Sequence, residues 1–327
     1  MSAGYASRLK EYPHKGVCGL PEKQDTPRQL KSKLARLVEL MQPTDRPRRI
    51  VIVTGAGIST AAGIPDFRGP SGIWTLEKKK TSKKRPLPKK PRFEPTQDSQ
   101  STMDFAAAQP TLTHRAITYL TQQKGVVRFV VTQNVDGLHR RSGLSRDHHA
   151  VLHGCVFTER CNHCGREYFR DKDVGGMSFH PTGRLCDVPC VGKENSKGIL
   201  VDTLLDWEDA LPEDDLDRAT TECETADLVL CLGTSLRIEP AGSLPTLAKD
   251  YVIVNLQVTP KDEEASLIIR AKADIVMTHL LEALGFVDWE KDMAQNPPTI
   301  ERVWLPPAPA KPVTNVYSCR SRRSTSQ

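Results

Sequence analysis

An α/β fold, a doubly wound parallel sheet carrying a small inserted module, is what this 327-residue sequence predicts, and three observations predict it. Four short runs rich in Val, Ile and Leu, at 49–53, 127–132, 227–232 and 251–256, alternate in several places with helical stretches, the pattern that builds a parallel sheet. The first run, Arg49-Ile-Val-Ile-Val53, leads directly into a glycine-rich turn, Thr54-Gly-Ala-Gly-Ile-Ser-Thr60. Between the second and third runs a Cys-x-x-Cys pair, Cys161 and Cys164, marks a segment with an organising chemistry of its own.

Taken in order, residues 1–25 form an N-terminal extension. Thr26-Pro27 then reads as an N-cap followed by proline at the first helical position. Leu30, Leu34, Leu37, Val38 and Met41 recur at helical spacing, so an amphipathic helix is expected to pack on the sheet. After the first strand, the glycines are expected where strand turns into helix. Residues 78–103 are basic, contain prolines and are poor in aliphatics, which predicts a mobile loop. His114, in Thr111-Leu-Thr-His114, is expected in the first turns of a helix and packed there, and His139, His148 and His149 read as helix or loop residues. Asp274-Ile-Val-Met-Thr-His-Leu-Leu-Glu-Ala-Leu284 looks like a closing helix. The organisation predicted is a Rossmann-like domain from 26–146 and 204–290, a small module at 147–203, and a proline-rich, basic tail at 291–327 whose stretch from 297 onward reads as extended. No internal repeat is evident.

Composition narrows the class. A chain of this length buries a sizeable core. No stretch approaches the roughly 18 apolar residues of a membrane span, and the first residues lack the apolar core of a secretory signal, so no membrane partner is expected. Nine cysteines, an odd count with one close pair, suit reduced thiols and a metal better than a disulfide scaffold. The net charge of +6 is local: residues 78–92 hold nine basic residues and no acidic one, which leaves the rest of the chain slightly acidic. That segment suits nuclear import, contact with DNA phosphates or plain solvation, and Arg320, Arg322 and Arg323 add a smaller basic end.

The turn after the first strand is where a dinucleotide-binding sheet offers backbone N–H groups to a pyrophosphate. Gly55 and Gly57 allow a tight turn and a close approach, while Ala56, Thr60 and their backbone supply phosphate donors. The sixth position is Thr60 rather than Gly or Ala, and the polar sequel Pro65-Asp66-Phe67-Arg68 sits where a dehydrogenase would continue its helix. Both features favour NAD consumed over NAD reduced. Arg68 can pair with phosphate or fix the loop, and Phe67 can shield a reacting sugar carbon from water. Gly233, Thr234 and Ser235 end a second strand, and Asn255 and Gln257 end a third, each at the carboxyl edge where ligands bind. Gln133, Asn134 and Asp136 follow the strand Val127-Arg-Phe-Val-Val131, where Asn-x-Asp suits either nicotinamide contact or an Asx-type helix cap. His153 is either a structural imidazole or a general base, its ordinary pKa of about 6.5 lying near operating pH. Cys161-Asn-His-Cys164 has the spacing of a zinc knuckle or a redox pair, and Cys186 with Cys190 can complete a four-thiolate site after a 21-residue connection.

Thr54 to Arg68, Thr132-Gln-Asn-Val-Asp-Gly-Leu-His139, Leu152-His-Gly154, Cys161-x-x-Cys164, Leu232-Gly-Thr-Ser235 and Val254-Asn-Leu-Gln257 occur in the order of the sirtuin family, which the chain resembles over about residues 1–310. Gly4-Tyr5, Lys15-Gly-Val-Cys-Gly-Leu-Pro21 and Leu205-Asp-Trp-Glu-Asp209 look like the nuclear sirtuin-six branch (class IV). The resemblance implies an NAD-dependent protein-lysine deacylase, with deacetylase and possible long-chain deacylase activity on histone or other chromatin proteins. Nicotinamide would leave, the acyl-lysine oxygen would attack the sugar, and His153 would deprotonate a ribose hydroxyl, giving free lysine and O-acyl-ADP-ribose. It further implies that Asn134 and Asp136 act with His153, that Gln133 lines the nicotinamide side, that Ser235, Asn255 and Gln257 hold ribose, and that Trp74 lies over the NAD loop, a hydrophobic anchor being the alternative.

The implied zinc is structural and bound by four cysteines, matched by Cys161, Cys164 and Cys186. The sirtuin-six pattern would set the fourth near Ser196, so either Cys190 serves through a shortened loop or His163 or His180 substitutes. Cys155 stands where sirtuins usually carry Asn after His-Gly, and the basic loop is longer than the branch pattern. Trp207 either walls the acyl-lysine channel, with acidic neighbours favouring basic tails, or begins a surface helix. A mono-ADP-ribosyltransferase and an NAD-sensing chromatin scaffold are the other functions considered. Nuclear localisation follows from branch and charge together.

Overall fold

A computed structural model describes residues 5–10, 15–42, 45–82, 105–189 and 197–306. Strands β1 (Ile50–Thr54), β2 (Phe129–Thr132), β3 (His149–Val151), β8 (Leu228–Leu232), β9 (Tyr251–Val254) and β10 (Leu267–Ile269) form a six-stranded sheet in the order β10-β9-β8-β1-β2-β3. Every pairing in it is parallel, with Val53 opposite Val131 on one side and Cys231 on the other. Both faces are covered, which is why β1 and β8 are buried at every position instead of alternating. Leu37 and Met41 of α2 (Pro27–Met41), Ile117 of α4 (Leu112–Thr118) and Val276, Leu280 and Leu281 of α7 (Ala273–Ala283) pack one face with Ile50, Ile52 and Leu230. Ala219 and Cys223 of α6 (Glu213–Glu224) pack the other with Val51, Val53 and Val229.

The four predicted strands stand within a residue or two of their expected ranges, and β3 and β10 are short edge strands that the sequence pattern did not reveal. The Thr26 cap forms a full capping box, with Thr26 Oγ1 accepting from Gln29 N and Gln29 Oε1 accepting from Thr26 N. His114 does the same for α4: its ring Nδ1 accepts from Thr111 N, and its own N–H donates to Thr111 Oγ1.

The chain after β1 departs from expectation. No α-helix follows the glycines; two short 3₁₀ turns, Ala56–Ile58 and Thr60–Ala62, close on Gly63 in the left-handed region (φ 82°). Pro65 and the polar loop beyond keep the chain out of helix until α3 (Ile73–Ser82). The backbone N–H groups at this turn are therefore offered by 3₁₀ turns and not by a helix terminus.

A second sheet holds β4 (Thr158–Cys161), β5 (Glu167–Phe169), β6 (Pro181–Pro189), β7 (Lys197–Asp202) and β11 (Val303–Trp304), in the order β11-β5-β4-β7-β6. Its pairings are antiparallel. Two differences from the predicted boundaries follow. Residues 149–151, expected in the small module, belong to the large sheet because β3 pairs with β2. The C-terminal stretch is not wholly extended tail: α8 (Trp289–Gln295) packs on the core through Trp289, and β11 adds to β5. The loop predicted over 78–103 begins as helix, because α3 runs on to Ser82; its remainder, Cys190 and the end of the tail lie outside the described residues. Among the described residues, no helix is long and apolar enough to cross a membrane.

Candidate functional site

The sheet order reverses between β1 and β8, since the chain runs β1-β2-β3 one way and β8-β9-β10 the other. A crevice outside the carboxyl ends of the strands at such a point is where doubly wound folds bind ligands. A cleft of about 1060 Å³ opens there. Its floor is two turns zipped together: Gly55 N donates to Leu232 O at 3.1 Å, and Gly57 N donates to Gly233 O at 2.8 Å. A Cβ on Gly57 would stand 2.7 Å from Gly233 Cα, and one on Gly55 would stand 2.7 Å from Thr234 Cβ. The glycines are thus required first by the neighbouring strand-end turn, and the approach to a ligand comes with it.

Ala56, Gly233, Thr234 and Ser235 line the same floor. Asn255 and Gln257 reach it from the end of β9, where Asn255 Nδ2 donates to Gln257 O at 2.9 Å and Gln257 Nε2 donates to Arg68 O at 3.3 Å. Thr60 is not among the lining residues; its hydroxyl donates to Gly57 O at 3.0 Å, tying the second 3₁₀ turn back to the first. Ser59 takes its place in the cleft, a residue the sequence reading passed over although it sits in the same motif.

The Pro65–Arg68 loop forms one wall. Asp66 Oδ1 accepts from Gly69 N at 2.8 Å, and burial raises the Asp66 carboxyl pKa. Arg68 donates from Nε to Lys15 O at 3.1 Å, and its guanidinium lies 4.5 Å over the Trp74 ring. Burial lowers its pKa to about 10, which leaves it cationic at neutral pH. Phe67 packs on Trp74 at 4.7 Å, Trp74 on Trp207 at 5.1 Å, and Tyr5 meets Phe67 edge-on at 6.0 Å. Trp74 is 3 % exposed and lines the cleft, and Trp207, packed against it, lines the cleft too.

The end of β2 supplies the polar end. Ser59 Oγ donates to Asp136 Oδ2 at 2.6 Å, and Leu138 N donates to Asp136 Oδ1 at 2.9 Å. Asn134 Nδ2 donates to Gly55 O at 3.0 Å and to Ser59 Oγ at 3.3 Å, which commits its N–H groups inward. Asp136 makes an Asx turn at the start of α5 (Leu138–Arg141), whose N-cap is Gly137, while both side chains also line the cleft. Gln133 Nε2 donates to Thr234 Oγ1 at 3.4 Å, tying β2 to the β8 turn.

His153 follows β3 and faces the same space. Its ring donates to the Gln133 carbonyl, and burial pushes its pKa down to about 4, with the nearby Arg68 charge in the same direction. A neutral imidazole with one nitrogen so engaged keeps the other as a proton acceptor. Gly154 turns the chain immediately after it: φ is +76°, and a Cβ would lie 1.8 Å from Thr203 O. Cys155, the departure from the family pattern, is buried with its thiol pKa raised to about 11 by desolvation, and it accepts from Phe157 N at 3.5 Å; it packs and does no chemistry in the cleft.

In the second sheet, the sulfurs of Cys161, Cys164 and Cys186 lie within 4.8 Å of one another, with Cys164 Sγ 3.8 Å from Cys186 Sγ. Tetrahedral Zn–S bonds of about 2.3 Å put sulfurs about 3.8 Å apart, so the donor set fits zinc. Cys190 lies outside the described residues.

A sequence model described as the Sir2 family matches residues 55–240. The NAD-dependent protein deacetylase Sirt6 of Drosophila melanogaster is 39 % identical over 303 residues, covering 91 % of this chain and 89 % of that one. The NAD-dependent protein deacetylase SRT1 of Arabidopsis thaliana is 43 % identical over 289 residues and 87 % of this chain, but the match spans only 56 % of its own length. Among solved structures, a complex of Sir2 with a p53 peptide and NAD⁺ superposes with a TM-score of 0.53 at 26 % identity, covering 77 % of this chain and 99 % of that one.

Proposed function

The chain belongs to the Sir2 family, and from that premise we propose that it is an NAD-dependent protein-lysine deacylase. The observation that carries this reading is convergence. Asn134, Asp136 and His153, from the ends of β2 and β3, share one cleft with the Gly55–Gly57 and Gly233–Ser235 turns at the point where the strand order reverses.

In the proposed reaction the 3₁₀ turns and Arg68 hold the diphosphate, and Ser235, Asn255 and Gln257 bind ribose hydroxyls. Asn134 and Asp136 hold nicotinamide and its ribose. The acyl-lysine carbonyl oxygen bonds to the anomeric carbon as the bond to nicotinamide breaks, and the positive charge passes to the lysine amide carbon as an imidate. His153 accepts a ribose hydroxyl proton, and that oxygen then attacks the imidate. Water completes the transfer, leaving free lysine and O-acyl-ADP-ribose. Phe67, held by Trp74 and Tyr5, excludes water from the anomeric carbon. Cys161, Cys164 and Cys186, with Cys190 as the fourth ligand, would hold a structural zinc that would tie β4 to β6.

The preferred substrate is a basic peptide such as a histone tail. Asp206 and Asp209 line the cleft beside Trp207, with Asp206 paired to Lys10 at 3.3 Å, and Glu208 between them is exposed. The basic run 78–92 supports a nuclear address and contact with chromatin. Mass spectrometry of an acetylated histone-tail peptide, and of a long-chain acyl peptide, with enzyme and NAD tests the proposal. Deacylated peptide, nicotinamide and O-acyl-ADP-ribose in equal amounts support it. Nicotinamide release with ADP-ribose attached to protein, and no deacylation, would replace it with mono-ADP-ribosyl transfer.

A further inference from the structure

Behind the Asn134 side of the cleft three imidazoles stack in the core. His139 is 2 % exposed and lies between His114, with ring centroids 4.8 Å apart at 61°, and His149, at 5.1 Å and 62°. These contacts fix the plane of the His139 ring. Its Nε2 is 3.0 Å from Thr54 Oγ1. The Thr54 hydroxyl donates to Thr132 Oγ1 at 2.8 Å, and Thr132 Oγ1 accepts the backbone N–H of Asn134 at 3.1 Å. Thr54 and Thr132 are register partners at the carboxyl ends of β1 and β2, so the chain of bonds crosses the sheet directly beneath the site.

A threonine hydroxyl has one proton to give, and Thr54 Oγ1 has Thr132 Oγ1 at 2.8 Å and, farther off, Val131 O at 3.5 Å as acceptors. With that proton on the nearer oxygen, His139 donates from Nε2, the tautomer on which the proposal below rests; His139 Nδ1 has no hydrogen-bond partner among the described residues. Burial and the adjacent His114 hold the ring neutral, as a single-donor imidazole requires.

We propose that His139 is a positioning residue for the reaction: by donating from Nε2 through the Thr54 and Thr132 hydroxyls, it fixes the Asn134 backbone and hence the side chain that lines the cleft. The inference rests on the nicotinamide-side role given above to Asn134. His139 touches neither NAD nor peptide in this arrangement; its effect runs through the two threonines. It concerns the step in which nicotinamide leaves or returns, and not the binding of the peptide.

The test uses the full-length enzyme and measures exchange of labelled nicotinamide into NAD, with the KM for acyl peptide alongside. His139→Leu, which cannot donate, and Thr132→Val, which keeps the shape and loses the acceptor, should each lower the exchange rate about tenfold, the worth of one buried hydrogen bond, with peptide KM unchanged. His139→Gln, whose amide N–H can reach the Thr54 hydroxyl, should recover most of the rate. Equal loss in the Gln and Leu variants would mean that ring shape alone matters and would overturn the proposal, as would wild-type exchange in Thr132→Val. Nitrogen NMR of the native enzyme needs no variant to fold: a His139 ring protonated at Nε2 supports the proposal, and one protonated at Nδ1 overturns it. Asn134→Ala is run in parallel. If it exchanges normally, the role of Asn134 falls and the proposal with it; if it is inactive while His139→Leu is normal, only the positioning role falls.

Discussion

Burial pushes the His153 pKa down to about 4, which leaves the ring neutral at pH 7, as the base role proposed for it requires. The same physics reaches three other imidazoles: burial lowers His114 to about 3 and holds His139 and His149 well below the ordinary value. A ring whose pKa is lower folded than unfolded binds a proton when the chain unfolds. Stability is therefore expected to be flat above about pH 6.5 and to fall as pH drops from there toward 4, with up to one proton taken up per ring. Urea titrations from pH 8 to pH 5 check this. The midpoint should fall steadily below pH 6.5, and His114→Gln, in which an amide can still accept at the α4 cap, should flatten part of the slope. A midpoint independent of pH over that range would mean these rings are not buried as neutral groups.

At the level of elements, the small sheet is joined to the large one by a buried ionic cluster. Arg146 donates from Nε to Glu167 Oε2 of β5 at 3.0 Å and from Nη2 to Asp215 Oδ2 of α6 at 2.6 Å. It also stacks 4.5 Å from the Trp304 ring of β11. All three charged side chains are 7 % exposed or less. Removing one partner from such a cluster leaves a buried charge unpaired and costs about 3–5 kcal/mol, so Arg146→Met should lose that much in denaturant unfolding while Arg36→Met, at an exposed pair, should lose less than about 1 kcal/mol. The cysteine cluster is the other organiser of this sheet. Cys186→Ser should lower bound zinc below one equivalent, measured by mass spectrometry of the metal, and release β6. Cys190→Ala should do the same if Cys190 is the fourth ligand; unchanged zinc would direct the search to His163 or His180.

Across the whole molecule, the interior strands and the cleft were legible in the sequence because each carries a strong local signal. Runs such as Ile50–Val53 and Leu228–Leu232 are apolar throughout, as strands covered on both faces must be. What escaped the sequence was set by tertiary pairing. The edge strands His149–Val151 and Leu267–Ile269 have three residues each and exist because β2 and β9 offer them an edge. Val303–Trp304 is a strand only because β5 is beside it. The glycine-rich turn promised a helix, and Gly63 and Pro65 closed it as 3₁₀ turns. The three-histidine stack behind Asn134 was invisible for the same reason, since its members lie on separate elements. In the proposed reaction this cleft consumes NAD and His153 acts after nicotinamide has left. The decisive experiment compares wild type with His153→Ala under single-turnover conditions, with nicotinamide exchange and peptide deacylation followed together. The variant should keep nicotinamide exchange and lose deacylation by at least about a hundredfold, the usual contribution of a general base. Deacylation at the wild-type rate in the variant would contradict it.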